Sequence, residues 1–377
     1  MKMAILGFGV VGSGAYEAAK CAGIEVKRIL DIAVKPGYEG VMTTDIADIL
    51  NDAEIGVVAE VIGGLHPAYE LVIAAMRAGK HVVSANKQLI SHYYNELHSE
   101  AAACGVQLRY TASAGGGIPW LYNLKRAKRC DEITDIAGII NGTTNFILDA
   151  MHGGADFAQA LGEAQRLGYA EANPSADIDG LDLQRKCAIS ASIAFDCVVS
   201  EAEVSAFGIR SITAGDVAEF ERMGFICKLM ANAKRVSGGI SAYVQPALVK
   251  GASIMACVPS NYNMVELTGK NVGKLAFFGQ GAGKMPTGTA VVQDVIDIMA
   301  DVGGHAACNM RHICVNNSLV KHTYYVRTDV PVGIQTTAKL NDCAYITAPM
   351  TVSDMFALAN EIMTKDSKLF FAGINED

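Results

Sequence analysis

The sequence predicts an α/β protein whose first part is a doubly wound parallel sheet, and three observations lead to this prediction. Short apolar runs alternate with amphipathic segments from Met3 to about Leu108, which is the pattern of repeated βαβ units. Hydrophobic residues make up 51% of the chain and 38 residues are glycine, as in proteins that join buried parallel strands through tight turns. The length of 377 residues exceeds what one hydrophobic core usually organises, so we expect several domains.

The individual elements are predicted from the period of their apolar residues, which is two in strands and 3.6 in helices. In the first domain we predict strands at 3–6, 26–33, 55–60, 81–84 and 107–111, with helices at 11–22, 67–78 and 93–104. After the glycine-rich residues 115–119 the pattern changes to an α+β domain, whose clearest strands are 133–140 and 242–248.

The C-terminal third is predicted to contain two further parts. A helix at 288–301 is expected to pack back on the first domain. A strand, helix, strand, helix and strand are then expected to form a small module of its own, with strands at 324–328, 345–348 and 369–372. The predicted domains are 1–118, 119–305 and 306–377.

Charge and cysteine content exclude several classes of partner. The formal net charge is -8 and no basic run occurs, so the charge pattern of a nucleic-acid-binding protein is missing, and anionic membranes are also unfavourable partners. No apolar run approaches the roughly 20 residues of a membrane span. The ten cysteines are scattered through apolar stretches, which is typical of a reducing compartment. We therefore expect a cytoplasmic protein that binds neither nucleic acid nor membranes.

A glycine-rich loop follows the first predicted strand and opens the first predicted helix. Its residues are Gly7, Phe8, Gly9, Val10, Val11 and Gly12. In a dinucleotide-binding unit, the first glycine permits the tight turn, the second lets the main chain approach the pyrophosphate, and the third allows close packing of helix on strand. We interpret the loop as the start of a Rossmann-type domain that binds a nicotinamide dinucleotide; an ordinary strand-to-helix turn is the alternative.

The identity of the dinucleotide depends on the end of the second strand. A carboxylate about 20 residues beyond the glycines binds the ribose hydroxyls of NAD, and Asp31 stands at that distance. This favours NAD. Lys35, one helical turn further along, can instead neutralise the 2′-phosphate of NADP, and Asp31 is then an ordinary polar strand residue.

A second candidate contact with the cofactor lies where the strand 81–84 ends. Ser84 is followed by Ala85, Asn86 and Lys87, and ligands of open α/β sheets bind outside the carboxyl ends of the strands. We therefore predict that Ser84 and Lys87 contact the cofactor, and that Lys87 can also reach the substrate. A solvated lysine at the start of a helix is the alternative for Lys87.

Carboxylates and cations are concentrated in residues 168–186, a loop that enters a helix near Asp179. Asp182 and Lys186 are four residues apart, so both are predicted on one face of that helix. Such a pair is often only a surface salt bridge. Here the helix continues through apolar residues up to Phe195, so we expect it to be partly buried. A partly buried lysine is a candidate proton donor.

Taken together, these motifs resemble the homoserine dehydrogenase family. The resemblance covers about residues 1 to 305 in order, which a generic dinucleotide-binding protein does not produce. Its motifs are Gly63 to Ala68, Ala85-Asn86-Lys87, Gly115 to Pro119, Gly138 to Leu148, Gly168 to Lys186, Gly279 to Gly283 and Pro286-Thr287.

The resemblance implies reversible NAD(P)-dependent interconversion of L-aspartate 4-semialdehyde and L-homoserine, in the pathway to threonine and methionine. It implies that Lys186 passes the proton to or from the carbonyl oxygen, while Glu171 and Asp182 hold the amino group of the substrate. Asp177 is then a supporting acid and Lys87 lies beside cofactor and substrate. Gly168 and Gly283 are implied as further contacts of the cofactor, and a homodimer or higher homo-oligomer as the assembly.

The resemblance also implies a sodium ion held by main-chain oxygens. The matching residues are Thr111, Ala114, Gly116 and Ile118. Thr111 departs from the family, in which a glutamate is common at this position; the change is harmless if only the main-chain oxygen binds the ion. A simple linker between domains is the alternative for this glycine-rich turn.

The segment from His322 onward resembles a shortened ACT-type regulatory module, chiefly through residues 324–334. It is predicted to lack one strand of the βαββαβ order, so a brace at a dimer interface is as compatible with it as threonine binding. Upstream, His305, Cys308, His312 and Cys314 are close in sequence, but their spacing fits no common structural zinc site.

Two competing functions stay open at this stage. The first is a related amino-acid semialdehyde dehydrogenase on the same two-domain frame. The second is a catalytically silent dinucleotide sensor, against which the joint presence of Glu171, Asp182 and Lys186 argues.

Overall fold

The computed structural model describes residues 1–302, 311–331 and 333–375. Contacts divide the chain into two compact units. The first unit comprises Met1–Arg126, Asp196–Ser200 and Gly279–His312, and the second comprises Ala127–Phe195, Glu201–Phe278 and Ile313–Asp377. The chain enters each unit more than once, which consecutive segments such as 1–118, 119–305 and 306–377 do not capture. Those boundaries stay a prediction.

The elements up to residue 127 alternate between strand and helix. They are β1 (Lys2–Leu6), α1 (Val10–Cys21), β2 (Val26–Leu30), β3 (Met42–Thr43), α2 (Ala47–Leu50), β4 (Ile55–Glu60), α3 (Ala68–Arg77), β5 (His81–Ser84), α4 (Lys87–His92), α5 (Tyr94–Cys104), β6 (Leu108–Arg109), a 3₁₀ turn (Thr111–Ser113) and α6 (Trp120–Ala127).

The remaining elements begin with an α/β stretch and end mostly in strands. They are β7 (Ile133–Ile139), α7 (Gly142–His152), α8 (Phe157–Arg166), α9 (Ser175–Ile178), α10 (Leu181–Phe195), a 3₁₀ turn (Glu201–Glu203), β8 (Ser205–Ala206), α11 (Ala214–Arg222), β9 (Phe225–Val236), β10 (Gly239–Lys250), β11 (Tyr262–Gly269), β12 (Gly273–Gln280), α12 (Lys284–Met299), a 3₁₀ turn (Asn317–Leu319), β13 (Lys321–Arg327), β14 (Thr336–Lys339), β15 (Ala344–Thr347), β16 (Met350–Thr351), α13 (Val352–Met363) and β17 (Phe370–Ile374).

The first unit contains a six-stranded sheet with the order β3-β2-β1-β4-β5-β6. All of its strand pairs are parallel, which confirms the predicted doubly wound sheet. The strand predicted at 26–33 is shorter and ends at Leu30; directly after it, the Asp31 carboxylate accepts hydrogen bonds from the main-chain N–H groups of Phe8 and Ile32. Parallel order brings the carboxyl ends of β1, β4 and β5 to one edge of the sheet.

Helix α12 belongs to the first unit and packs on α1. The two helices approach so closely that a Cβ on Gly14 would lie 2.0 Å from the main-chain oxygen of Lys284, and one on Gly288 would lie 2.4 Å from the carbonyl carbon of Gly14. Apolar residues of α12 such as Val291 and Val295 are fully buried in the same core as β1. The helix predicted at 288–301 therefore packs on the dinucleotide-binding fold, as expected.

The second unit is organised around an 11-stranded mixed sheet. Nine strands follow the order β12-β11-β7-β9-β10-β17-β13-β15-β14, and two more lie off this path, with β16 paired to β13 and β8 to β10. Long antiparallel pairs join β7, β9, β10 and β11. Strand β17 runs parallel to β10 and antiparallel to β13. The C-terminal strands therefore continue the sheet of the second unit and do not form a sheet of their own.

The predicted order of the C-terminal segment is wrong in one element. A strand, β14, stands where the first helix was expected, and it pairs antiparallel with β15. The residues between them form an Asx turn, in which Asn341 Oδ1 accepts hydrogen bonds from the N–H groups of Cys343 and Ala344, and this favours a hairpin. Within the described residues, the segment therefore lacks a helix of the βαββαβ order and not a strand.

None of the helices in the described residues combines the length and the apolar character needed to cross a bilayer.

Candidate active site

The glycine loop has the geometry that a dinucleotide requires. Gly7 has a φ of +96°, which side chains rarely adopt, and a Cβ on Gly12 would lie 2.0 Å from the main-chain oxygen of Gly7. At Gly9, which precedes α1, a Cβ would meet nothing within 4 Å. The N–H groups that begin α1 at Val10 and Val11 therefore have open space for an anion. The residues present fit a dinucleotide pyrophosphate.

Asp31 and Lys35 both lie against this loop. Asp31 Oδ2 accepts a hydrogen bond from the N–H of Phe8 at 3.1 Å and lies 3.3 Å from Lys35 Nζ. The lysine also donates to the main-chain oxygen of Phe8. Asp31, whose carboxylate suits a ribose hydroxyl, thus lies next to Lys35, whose ammonium suits a 2′-phosphate, and both lie beside the glycine loop.

A buried carboxylate that the sequence analysis missed, Glu60, lies at the carboxyl end of β4. Its side chain is fully buried, and burial raises the pKa of its carboxyl group. Ser84 donates its hydroxyl to Oε2 at 2.6 Å, and the N–H groups of Ile62 and Gly63 donate to Oε1 at 2.9 and 3.3 Å. Ser84, predicted to contact the cofactor, therefore directs its hydroxyl to Glu60; its contact with a cofactor stays a prediction.

Asn86 connects this cluster to Lys87. Its Oδ1 accepts a hydrogen bond from the N–H of Leu89 at 3.1 Å and so caps α4, while its Nδ2 donates to Glu60 Oε1 at 3.4 Å and to the main-chain oxygen of Gly64 at 2.7 Å. Lys87 is the first residue of α4 and is half-buried. Its position at the edge of the parallel sheet is the one expected of a cofactor contact.

The predicted sodium-binding segment is anchored by α12. Thr111 donates its N–H and its hydroxyl to the two carboxylate oxygens of Asp294, at 2.8 and 2.7 Å. Asp294 is buried, and its pKa is raised to about 6 because burial disfavours the charged form. The side chain that departs from the family pattern therefore binds a carboxylate of α12, and the sodium ligand predicted at Thr111 is its main-chain oxygen.

The rest of this segment forms a tight turn. Gly115 and Gly116 have φ values of +92° and +55°, and a Cβ on Gly116 would lie 2.1 Å from the main-chain oxygen of Gly281. Ala114, Gly116 and Ile118 are buried. The main-chain oxygen of Ile118 accepts a hydrogen bond from Trp120 N at 2.7 Å. Closely spaced main-chain oxygens in a turn are the donor type that a hard cation takes.

In the second unit, Asp182 and Lys186 form a buried ion pair near the start of α10. Lys186 Nζ lies 2.8 Å from Asp182 Oδ2 and donates to the main-chain oxygen of Ile140 at 2.6 Å. The two residues are only 3% and 8% exposed, so the expectation of a partly buried helix is confirmed. A surface salt bridge is excluded by this burial.

Asn141, which the sequence analysis did not single out, joins two of the predicted carboxylates. Its Nδ2 lies 2.6 Å from Asp177 Oδ1 and 2.9 Å from Asp182 Oδ2. Its Oδ1 accepts a hydrogen bond from the N–H of Thr144 at 2.8 Å and caps α7. The sequence signal was an asparagine between a strand and Gly-Thr-Thr, which is typical of a helix N-cap.

The other predicted substrate and cofactor residues of the second unit lie in the segment between α8 and α10. Asp177 is half-buried in α9, whereas Glu171 is exposed, and the main-chain oxygen of Glu171 accepts a hydrogen bond from Gln165. Gly168 has a φ of +75° and Gly180 one of +85°, which allow the chain to turn before and after α9. The assignment of Glu171 and Gly168 to substrate and cofactor stays a prediction.

Gly283 precedes α12 in the first unit. Its φ of +129° lies in the region that favours glycine. Of the His/Cys cluster considered for zinc, His305 and Cys308 lie outside the described residues.

The arrangement in the second unit suits proton transfer next to a cationic ligand. A lysine ammonium held on a main-chain oxygen can give a proton to an oxygen that gains negative charge, and nearby carboxylates attract an amino group. Of the residues predicted for this chemistry, the structure brings Asp177, Asp182 and Lys186 together around Asn141.

Comparison with known proteins gives one consistent family. The family model described as "Homoserine dehydrogenase" matches residues 119–296, and the one described as "Homoserine dehydrogenase, NAD binding domain" matches residues 7–111. The chain is 40% identical over 344 residues to the homoserine dehydrogenase of Synechocystis sp., covering 83% of this chain and 79% of that protein. It is 37% identical over 351 residues to that of Bacillus subtilis, covering 89% and 79%.

A solved structure agrees with these relatives. The crystal structure of a homoserine dehydrogenase from Thiobacillus denitrificans superimposes with a TM-score of 0.87 at 32% identity, covering 100% of this chain and 98% of that one. The chain therefore belongs to the homoserine dehydrogenase family of NAD(P)-dependent oxidoreductases.

Proposed function

We propose that this chain catalyses the reversible interconversion of L-homoserine and L-aspartate 4-semialdehyde with a nicotinamide dinucleotide. The observation that carries the proposal is the buried Asp182–Lys186 pair, whose ammonium also binds the main-chain oxygen of Ile140. An oxidoreductase that interconverts a hydroxyl and a carbonyl group needs, in addition to the cofactor, a side chain that can release and take up a proton, and a lysine can do both.

The proposed roles are those that the family resemblance implies, and the chemistry of each side chain is compatible with them. In the reductive direction, the Lys186 ammonium gives a proton to the aldehyde oxygen as negative charge develops there. In the oxidative direction, Lys186 first loses a proton to solvent, and its neutral amine then takes the proton of the hydroxyl. Asp182 and Glu171 hold the ammonium group of the substrate, and Asp177 supports them. The dinucleotide, when bound, supplies or accepts the hydride at its nicotinamide ring. Lys87, with Gly168 and Gly283, is assigned to the cofactor, and Lys87 also to the substrate.

We propose NAD as the favoured dinucleotide, with NADP as the alternative. The support is Asp31, whose carboxylate lies at the glycine loop through its hydrogen bond with the N–H of Phe8. A carboxylate at this position binds ribose hydroxyls and repels a 2′-phosphate. Lys35 reduces that repulsion because it pairs with the same carboxylate oxygen.

A sodium ion is the second proposed ligand, held by the main-chain oxygens of Thr111, Ala114, Gly116 and Ile118. The buried turn with its positive-φ glycines supports this assignment. Replacing sodium by choline in the assay is expected to lower turnover, and adding sodium back to restore it; equal rates in both salts would contradict the site.

The experiment that tests the function is a substrate panel. Purified protein is assayed for reduction of NAD and of NADP with L-homoserine and with other hydroxy amino acids. We expect turnover with L-homoserine and a higher kcat/KM with NAD. Turnover with another amino acid and none with L-homoserine would indicate the related semialdehyde dehydrogenase, and dinucleotide binding without any turnover would indicate a silent sensor.

Two further assignments rest on the family. We propose a homodimer or higher homo-oligomer located in the cytoplasm, and sedimentation of the purified protein measures the oligomeric state.

Threonine, added to the full-length enzyme, tests the ACT-like segment: unchanged turnover would remove the regulatory interpretation.

A further inference from the structure

Asn141 is the residue on which the acidic side of the candidate site converges. It is buried at the end of β7 with 5% of its surface exposed. Its Nδ2 donates to carboxylates from two different helices, Asp177 of α9 and Asp182 of α10, at 2.6 and 2.9 Å. One amide group therefore joins two side chains that are separate in sequence and both negatively charged.

The orientation of this amide follows from its neighbours. Oδ1 accepts from the N–H and from the hydroxyl of Thr144, at 2.8 and 3.0 Å. With the amide reversed, its NH₂ group would face the N–H of Thr144 and its oxygen would face two carboxylates, so these three contacts would be repulsive. The donor side of Asn141 is thus fixed toward Asp177 and Asp182.

The contact with Asp182 also reaches the proposed proton donor. Asp182 Oδ2 accepts the Asn141 amide at 2.9 Å and lies 2.8 Å from Lys186 Nζ. The residue before Asn141, Ile140, supplies the main-chain oxygen to which the same ammonium donates at 2.6 Å. A displacement of the chain at Asn141 therefore moves a partner of Asp177, of Asp182 and of Lys186 together.

Helix capping alone does not account for an asparagine at this position. Asparagine, aspartate and serine are about equally good N-caps, and α8 begins with an exposed aspartate, Asp156, in a capping box. Of these three residues, only asparagine combines a cap acceptor with two protons for two carboxylates. The need for those two donors distinguishes Asn141 from Asp156.

We propose that Asn141 is a positioning residue for the substrate: its amide holds Asp182, which receives the substrate ammonium, beside the supporting acid Asp177, and keeps Asp182 on Lys186. This inference rests on the proposed function. Without the amide, the two carboxylates repel each other and separate, so the affinity for L-homoserine falls while the dinucleotide site is unaffected.

The test uses variants that keep the cap and remove the bridge. Asn141→Ser retains a cap acceptor but is too short to reach both carboxylates. We expect its KM for L-homoserine to rise by about tenfold or more, because charge-assisted hydrogen bonds are lost, with the dissociation constant for the dinucleotide unchanged. A KM and kcat equal to those of the wild type would overturn the proposal.

Asp156→Ala is the matched control. It removes the cap of α8, so the melting temperature is expected to fall while the KM for L-homoserine stays at the wild-type value. A rise in KM comparable with that of Asn141→Ser would show that any loss of a cap has this effect, and would contradict a positioning role.

Asn141→Asp separates this proposal from the proposed function. Aspartate caps helices well, but here its carboxylate would face Asp177 and Asp182. At mildly alkaline pH we expect it to melt below Asn141→Ser. We expect this order of melting temperatures even if the wild type does not oxidise L-homoserine. In that case the proposed function fails, but the hydrogen bonds of Asn141 to the two carboxylates are still supported. Equal melting temperatures of Asn141→Asp and the wild type would contradict the bridge itself.

Discussion

Asn86 in the first unit and Asn141 in the second use the same local arrangement. Each caps a helix with its side-chain oxygen and donates its NH₂ group to carboxylates. In the first unit the carboxylate is Glu60, fully buried, and the donors that reach it among the described residues are neutral: a hydroxyl, two main-chain N–H groups and an amide.

The second unit differs because it adds a cation. Asp182 accepts from Asn141 and from the Lys186 ammonium, so the cluster contains a group that can release a proton. The hydrogen-bond donors found at Glu60 within the described part of the chain are all neutral, and burial raises the pKa of its carboxyl group. The two asparagine caps thus give similar geometry, whereas the charge of the remaining donors differs, and on the proposed function this charge separates a structural cluster from a reactive one.

Removing the cation of the second cluster has the largest expected effect. We expect Lys186→Ala to lower kcat for L-homoserine oxidation by about a thousandfold, since it removes the general acid–base group, with the dinucleotide dissociation constant unchanged. The matched control is Lys128→Ala, because Lys128 also donates to a main-chain oxygen, that of Ile193, at 2.6 Å. Near-wild-type turnover in Lys186→Ala would remove the distinction between the clusters.

The next largest expected effect is a loss of stability when Glu60, the acceptor of the first cluster, is replaced. Glu60→Leu leaves several buried donors without an acceptor, so we expect the free energy of unfolding to fall by about 4 kcal/mol. In Glu60→Gln the amide oxygen keeps the three N–H donors and the NH₂ group can donate to Ser84. Denaturant unfolding of both variants measures how far the free energy of unfolding falls. Equal decreases in the two variants would show that the negative charge itself stabilises the cluster.

A third buried carboxylate, Asp294, gives a pH dependence. Its pKa is raised to about 6 from the model-peptide value of 3.8, so the folded state binds the proton more tightly than the unfolded state. The associated stabilisation is present below about pH 4 and is lost as pH rises to about 6, by about 3 kcal/mol. Asp294→Asn lacks this component, so the difference in unfolding free energy between the two proteins should change across that window. A constant difference would contradict the raised pKa.

The smallest expected effect concerns the cofactor. Lys35→Ala removes the ammonium that pairs with Asp31, so we expect the KM for NADP to rise about tenfold and that for NAD to change less. Lys20→Ala, at the exposed end of α1, is the control. Equal changes for both dinucleotides would show that Lys35 acts on the loop and not on the 2′-phosphate.

Local patterns accounted for what the sequence could predict. The parallel strands β1, β4 and β5, the glycine loop and the Asp182–Lys186 pair each follow from residues close together in the chain. Glu60 and Asn141 were missed because their partners are distant in sequence: Asn141 lies 41 residues from Asp182, and Glu60 lies 24 from Ser84. Nothing in the spacing of such residues indicates that a fold brings them together.

In the C-terminal segment the prediction of secondary structure failed for a different reason. There, pairing with a neighbouring strand determines the structure, and the local sequence pattern does not. A helix was expected between the strands 324–328 and 345–348, but Thr336–Lys339 in this segment is a strand that pairs with β15 at the edge of a long sheet. Tyr325 and Arg327 of β13 both bind the buried carboxylate of Asp216 at 2.7 Å, which ties this segment to α11. Those contacts were not visible in a resemblance to a free-standing module.

The central claim is that one of the two asparagine-capped clusters is structural and the other handles the substrate, and the same isosteric change at both tests it most directly. We compare kcat/KM for L-homoserine in Glu60→Gln and Asp182→Asn, with the dinucleotide affinity of each as a reference. The account predicts a value within about threefold of wild type for Glu60→Gln and a loss of about a hundredfold or more for Asp182→Asn. Comparable losses in the two variants, or the reverse order, would contradict it.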